Sequence, residues 1–436
     1  MESIFGERAT VATIMQIEAA LARAQAQLGI IPAQAAHEIT QKAQVEYAPR
    51  DRIDAYIEQV GHPLVATLKA WSEQLSESSA AFLHFGATTP DIRLTMQILQ
   101  MRAATRHVLA AAHVLEDHML RLAQAYQMTP MMGRTVGRHA LPISFGLKVS
   151  TWMLENRRNI ARLFAWLERT DSGVLAGAVG TYAALGEQGF EVEALTMQEL
   201  GLGPAEAADW KGTRDKHAEW GSLLAIMSKS LARMAQDIFL LQGDDFAELD
   251  EANQEVGSST MPHKSNPRKA TAIIGLSRQI AHESAVLLDW MVSIYERDQI
   301  SNDSSLANLA RNMDKLLQAA EGLLATLRVY PQNMERNLQR TGGLIMAERV
   351  MFALGPYVGK HKAHGLVHEA AKKVLRQETD FRSALMEQHE VADYLGEQQI
   401  EALLDHKTYL GLAPQAVQRA IEYVYACRAK QAPMEE

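Results

Sequence analysis

The sequence predicts an all-α fold with a long central helical bundle, and three observations predict it. Apolar residues recur at helical spacing from Leu94 through Ile98, Met101, Val108, Ala111, Leu115, Met119 and Leu122. Two further stripes run through Leu224, Met227, Leu231, Met234, Ile238 and Leu241, and through Leu309, Met313, Leu316, Ala320, Leu323 and Leu327. No proline occurs between Pro142 and Pro204 or between Pro267 and Pro331, so long uninterrupted helices are allowed there. Convincing β-alternation and internal repeats are both missing from the pattern. Helices of this length, each with an extended apolar stripe, need neighbours along it, and a bundle supplies them. The methionines in the stripes read as core packing.

Taken in order, the first long stripe is opened by Thr88-Thr89-Pro90, with Thr89 as the expected cap and Pro90 in the first turn. The stretch Gly133 to Pro142 separates that helix from the next proline-free window. A third opening is written in Asn266-Pro267, where Asn266 caps and Pro267 fills the first helical position, whose missing N–H costs nothing.

Composition bounds the function classes. A chain of 436 residues suffices for several structural layers or two to three domains. No apolar run approaches the roughly 20 residues of a membrane span, and Met1 to Gly6 is too short and too acidic for a signal peptide. The expectation is a cytoplasmic protein with no membrane partner. The single cysteine, Cys427, rules out an intrachain disulfide and disfavours structural zinc. A net charge of −9 disfavours a nucleic-acid partner. Cations for an acidic substrate must then be local, and Arg134, Arg138, Arg214, Lys264 and Arg297 are the candidates.

The run Gly257-Ser258-Ser259-Thr260-Met261-Pro262-His263-Lys264-Ser265-Asn266-Pro267 concentrates hydroxyls, a cation, a cap and a helix-starting proline. Free N–H groups and the positive dipole end of the following helix favour a carboxylate or phosphate, and Lys264 adds a full charge. A serine beside such donors becomes a usable base or nucleophile once its alkoxide is stabilised. Two readings fit: a catalytic loop for an anionic substrate, or a capped linker between helices. His84-Phe85-Gly86-Ala87-Thr88-Thr89-Pro90-Asp91 repeats the theme, with two threonines at a helix N-terminus able to bind a carboxylate.

These residues resemble the fumarase/aspartase superfamily. The first run fills every fixed position of its signature G-S-S-x-M-P-x-K-x-N-P, and the second is similar to H-x-G-x-T-S-x-D, with Thr89 and Pro90 as departures. Gly133-Arg134-Thr135-Val136-Gly137-Arg138-His139-Ala140-Leu141-Pro142 resembles G-R-T-H-G-Q-x-A-x-P. Val136 replaces its histidine and Arg138 its glutamine. The glutamate that pairs with that histidine in adenylosuccinate lyase and fumarase would fall at Thr271. Ile17 to Pro32, Gly177 to Thr181, Thr213 to Glu219 and Leu403 to Gly411 extend the likeness along the chain.

The resemblance implies a three-domain all-α fold (1–91, 92–342 and 343–436), a homotetramer with shared active sites, and no metal or organic cofactor. It implies Ser258 as the base that removes a proton next to a carboxylate. Substrate-binding roles are implied for Thr88, Thr89, Arg134, Thr135, Arg138, Arg214, Ser259, Lys264, Asn266, Arg297, His62 and His84. His139 is a candidate acid, sharing a face with Val136 if the segment is helical. A structural histidine is the other reading. The substrate is a small di- or tricarboxylate. Absence of the histidine–glutamate pair is shared with the 3-carboxy-cis,cis-muconate cycloisomerases, so that chemistry stands first. Elimination of fumarate from an N-substituted aspartate, as in adenylosuccinate lyase, is the alternative and is favoured by Glu296 to Ser305. A non-enzymatic helical assembly is the third.

Overall fold

The computed structural model describes residues 1–204, 206, 212–252, 260–261, 263–297 and 304–435, the last four by backbone alone. Ser258 and Ser259 therefore lie outside the described residues. An opening helix α1 (Glu7–Gln27) precedes the long helices α2 (Thr89–Ala125), α3 (Phe145–Arg169), α4 (Asp215–Leu241), α5 (Arg268–Asp289) and α6 (Ser304–Thr326). Towards the C-terminus follow α7 (Pro331–Gln339), α8 (Ala347–Val358), α9 (Lys360–Leu375) and α10 (Ala413–Glu435). The stripes point inward as expected. Met101, Val108, Leu115 and Met119 in α2, Leu224 to Ile238 in α4, and Leu309 to Leu323 in α6 supply fully buried side chains.

The chain divides into two compact units, and the division falls inside each of the five long helices. The first unit, Met1–Ala112, Asn159–Lys229 and Gly275–Gln318, has a core of Met15, Ala19, Ile39, Ile53 and Trp71 near the N-terminus. Deeper in it, the indoles of Trp166 and Trp220 lie 6.5 Å apart, and Trp220 Nε1 donates to Thr105 Oγ1 at 2.9 Å. The second unit, His113–Arg158, Ser230–Ile274 and Ala319–Glu436, is centred on Val350, Leu354, Phe381, Leu385 and Ile400. There the buried Arg157 pairs with the buried Glu116, which also accepts from Arg428 Nε at 2.7 Å. Satisfying both sides of a buried charge is what makes such a cluster tolerable.

Three local expectations are corrected. Residues 130–144 form a hairpin, β1 (Pro130–Thr135) antiparallel to β2 (Arg138–Ser144), where the sequence showed no convincing alternation. Val136 and Gly137, at φ 51° and 72°, make the two-residue turn whose twist suits a hairpin. Val136 there stands in place of the usual asparagine or aspartate, which hid the signal. Val136 is consequently the fully exposed tip, and His139 lies opposite Arg134 rather than on Val136's face. Helix α2 starts at Thr89, so capping falls one residue earlier, to Thr88. Helix α5 starts at Arg268, one residue later than expected. Two short strands, β3 (Leu249–Asp250) and β4 (Arg328–Val329), pair antiparallel in the second unit.

Candidate active site

In the first unit, α1 carries two buried polar residues, Glu18 and Gln25, seven apart and hence on one helical face. Gln25 Nε2 donates to the Phe85 carbonyl at 2.7 Å, and Glu18 Oε1 meets His84 Nδ1 at 2.6 Å. His84 sits at φ 62°, a left-handed conformation that costs a non-glycine residue energy. Gly86, at φ 76°, could not be replaced cheaply, since a Cβ there would lie 2.7 Å from Leu185 Cδ2. The imidazole is shifted upward: burial opposes the charge, but the bond to Glu18 and the charges of Glu18 and Asp91 outweigh it.

From this loop the chain enters α2. Thr88 N–H donates to Asp91 Oδ2 at 2.8 Å, half of a capping box, while Asp91 Oδ1 accepts from the Ala176 N–H at 2.9 Å. Thr88 and Thr89 are half-buried at this N-terminus. His62 caps the helix Pro63–Ser72 through its own ring, with Val65 N–H 3.4 Å from Nδ1. Arg214 is buried just before α4 and donates to the Thr213 carbonyl at 2.8 Å, whereas Arg297 is exposed.

In the second unit, Arg134 is already committed. Its guanidinium makes two hydrogen bonds to the fully buried Glu248, at 2.8 and 3.2 Å, and stacks 4.4 Å over the Phe246 ring. Asn337 Nδ2 adds a 2.8 Å bond to the same carboxylate. Close strand approach is required at Gly133, where a Cβ would come within 2.6 Å of the Leu141 carbonyl oxygen. Thr135, Arg138 and His139 stand exposed at the hairpin end. Beside it opens a cavity of about 630 Å³ whose lining includes Arg138, His139, Arg340, Thr341 and Gly342. Burial, then the charges of Arg134 and Arg340, lowers the His139 imidazole below its ordinary value.

The N-terminus of α5 brings a further correction. The anion expected there is the chain's own Glu251, 1% exposed, which accepts from the Lys269 and Ala270 N–H groups at 3.1 Å each. Lys269 Nζ reaches the Glu251 carbonyl at 3.2 Å. Lys264 is exposed and Asn266 half-buried ahead of this turn. The signature thus leads into a helix end whose charge is already met from within.

The family pattern described as Lyase matches residues 1–281, and that described as Adenylosuccinate lyase C-terminus matches residues 343–420. Adenylosuccinate lyase of Methanocaldococcus jannaschii is 35% identical over 97% of this chain and 93% of its own. The 3-carboxy-cis,cis-muconate cycloisomerase of Acinetobacter baylyi is 34% identical over 94% and 92%. The crystal structure of a fumarate lyase from Mesorhizobium sp. BNC1 superposes with a TM-score of 0.90 at 32% identity, covering 97% of both chains. The chain belongs to the fumarase/aspartase superfamily. It is an enzyme of that superfamily's lyase and cycloisomerase group, with the all-α fold of the fumarate lyases.

Within this superfamily frame, the structure gathers His84, Thr88 and Thr89 along one loop and helix start, and Arg138 and His139 around one cavity. Sequence reasoning missed Glu18, Glu248, Glu251 and Arg340. Only Glu18 left a trace, as an acid flanked by Ile14, Ile17 and Leu21 on a buried stripe. The partners of the other three are set by tertiary structure.

Proposed function

We propose that this superfamily member eliminates fumarate from a succinyl adduct, breaking the bond between the succinyl carbon and a nitrogen or sulfur substituent. The cavity beside the hairpin carries this reading. It is about 630 Å³ in extent, and Arg138 and Arg340 in its lining supply positive charge for carboxylates. In this reading Ser258 removes the proton next to a carboxylate. The resulting aci-carboxylate is a dianion, and the barrier falls only where fixed donors and cations meet that charge as it forms. Ser259, Lys264, Asn266, Thr88, Thr89, Thr135 and Arg138 are the proposed holders, with His62, His84, Arg214 and Arg297 around them. Arg134 acts by anchoring the hairpin.

The proposed assembly is a cytoplasmic homotetramer with shared sites. The exposed apolar run at the end of α5, Leu288, Met291, Val292, Ile294 and Tyr295, supports association. Among the described residues no helix is long and apolar enough to cross a membrane. The proposed functional regions remain 1–91, 92–342 and 343–436. Separate cores at either end of the chain support them, as does the start of the second family match at residue 343.

A second reading, 3-carboxymuconate cycloisomerisation, is favoured by Val136 and Thr271. A lactone carboxylate forms or leaves without a proton, so that reaction tolerates loss of the histidine–glutamate pair. A panel of succinyl adducts and 3-carboxymuconate followed by ultraviolet absorbance separates the two. Fumarate production supports the first reading; muconate loss without fumarate supports the second and overturns the first.

A further inference from the structure

An amine leaves carbon readily only if a proton meets it, a thiolate gains less from one, and Val136 stands where the family's histidine would supply it at the hairpin. The first unit holds a pair that meets the requirement. Glu18 is fully buried in α1, and its Oε2 has no hydrogen-bond partner among the described residues. A carboxylate so placed is a cost to folding that an apolar side chain would avoid. Its other oxygen lies 2.6 Å from His84 Nδ1. His84 is itself held in a strained left-handed conformation, and the next residue is clamped by the Gln25 bond to the Phe85 carbonyl. The His84 side chain is 22% exposed, and its bond to Glu18 is made through Nδ1, which leaves Nε2 as the ring nitrogen for a substrate. Backbone strain and a buried carboxylate with one unpaired oxygen converge on one imidazole, four residues before Thr88.

We propose that Glu18 keeps His84 as an imidazolium whose Nε2–H protonates the leaving atom, so that Glu18 is a positioning residue and His84 the acid. The proposal rests on the elimination reading above. The base takes a proton from the carbon next to a carboxylate, and that C–H electron pair becomes the new C=C bond. The bond to nitrogen or sulfur breaks, its electrons stay on the leaving atom, and that atom takes the Nε2 proton. His84 is left neutral and regains a proton from solvent, while the base releases to solvent the one it removed. The charged groups facing the ring are Glu18 from α1 and Asp91 from α2, and both favour the charged form over the penalty of burial.

Two measurements test this on the full-length protein. In the first, histidine-labelled wild type and Glu18→Gln are titrated by NMR, with His84→Gln to assign the resonance. The expected result is a His84 midpoint above the ordinary imidazole value in wild type, lowered by about one unit or more in Glu18→Gln. Identical midpoints, or a wild-type midpoint at or below the ordinary value, would overturn the role of Glu18. The second is the pH profile of kcat on the adduct that the panel identifies. The alkaline limb should move to lower pH in Glu18→Gln, and His84→Gln should lose about 10²-fold or more in kcat with KM little changed. An unmoved limb or full kcat in His84→Gln removes the acid. If wild type eliminates fumarate from no adduct, the functional reading fails and the acid role with it, while the titration, which needs no substrate, still decides whether Glu18 charges His84.

Discussion

His217 shows how one buried ring sets an acid limit. It is 4% exposed, with Nε2 3.0 Å from Gln97 Oε1 and Nδ1 unpartnered among the described residues. Burial first, then the charges of Arg214, Lys216 and Arg93, pushes its imidazole down to about 3 from 6.5. Between those values the unfolded chain binds a proton that the folded chain refuses. Stability contributed by the neutral ring is therefore whole above 6.5 and is lost as pH falls from 6.5 towards 3. His217→Gln is expected to flatten the acid side of a urea-stability profile, and an unchanged slope would reject this account. Arg134 and Glu248 make a second residue-scale case. Removing the carboxylate alone in Glu248→Ala strands a guanidinium and an amide, and should cost about 3–5 kcal/mol in urea denaturation.

At the scale of elements, the hairpin and the start of α5 each give a testable consequence. Val136 holds a β-branched side chain at φ 51° on a fully exposed tip, followed by Gly137. Asparagine tolerates that conformation, so Val136→Asn should raise stability by about 1 kcal/mol, visible as a higher thermal midpoint. Glu251 serves as the anion at the α5 N-terminus, and Glu251→Gln should cost about 1–2 kcal/mol in the same measurement. Helices were legible because their stripes are local: Leu224 through Ile238 announce α4 without reference to anything distant. The hairpin was not, because Thr135-Val136-Gly137-Arg138 lacks the usual turn residues and Pro142 falls within β2. The ligand of the α5 end was hidden for a different reason. Glu251 lies across the signature loop, and nothing in its neighbourhood distinguishes it from a solvated acid.

For the whole molecule, the sequence singled out the loop at His84 to Asp91 and the residues Arg138 and His139 as candidates, but not the groups that pack against them. Glu18 is 66 residues from His84, and Arg340 is further still from Arg138. Such pairs exist only once the chain has folded. In the proposed division of labour Ser258 removes the proton, cationic side chains and helix starts hold charge, and His84 delivers a proton. Its central claim is the elimination of fumarate initiated by Ser258, and the most direct measurement is fumarate release from succinyl adducts by wild type and Ser258→Ala, alongside sedimentation of both. The account predicts stoichiometric fumarate from wild type, none from Ser258→Ala, and the same assembly for both proteins. Substantial fumarate release by Ser258→Ala, or consumption of 3-carboxymuconate by wild type with no fumarate from any adduct, would contradict it.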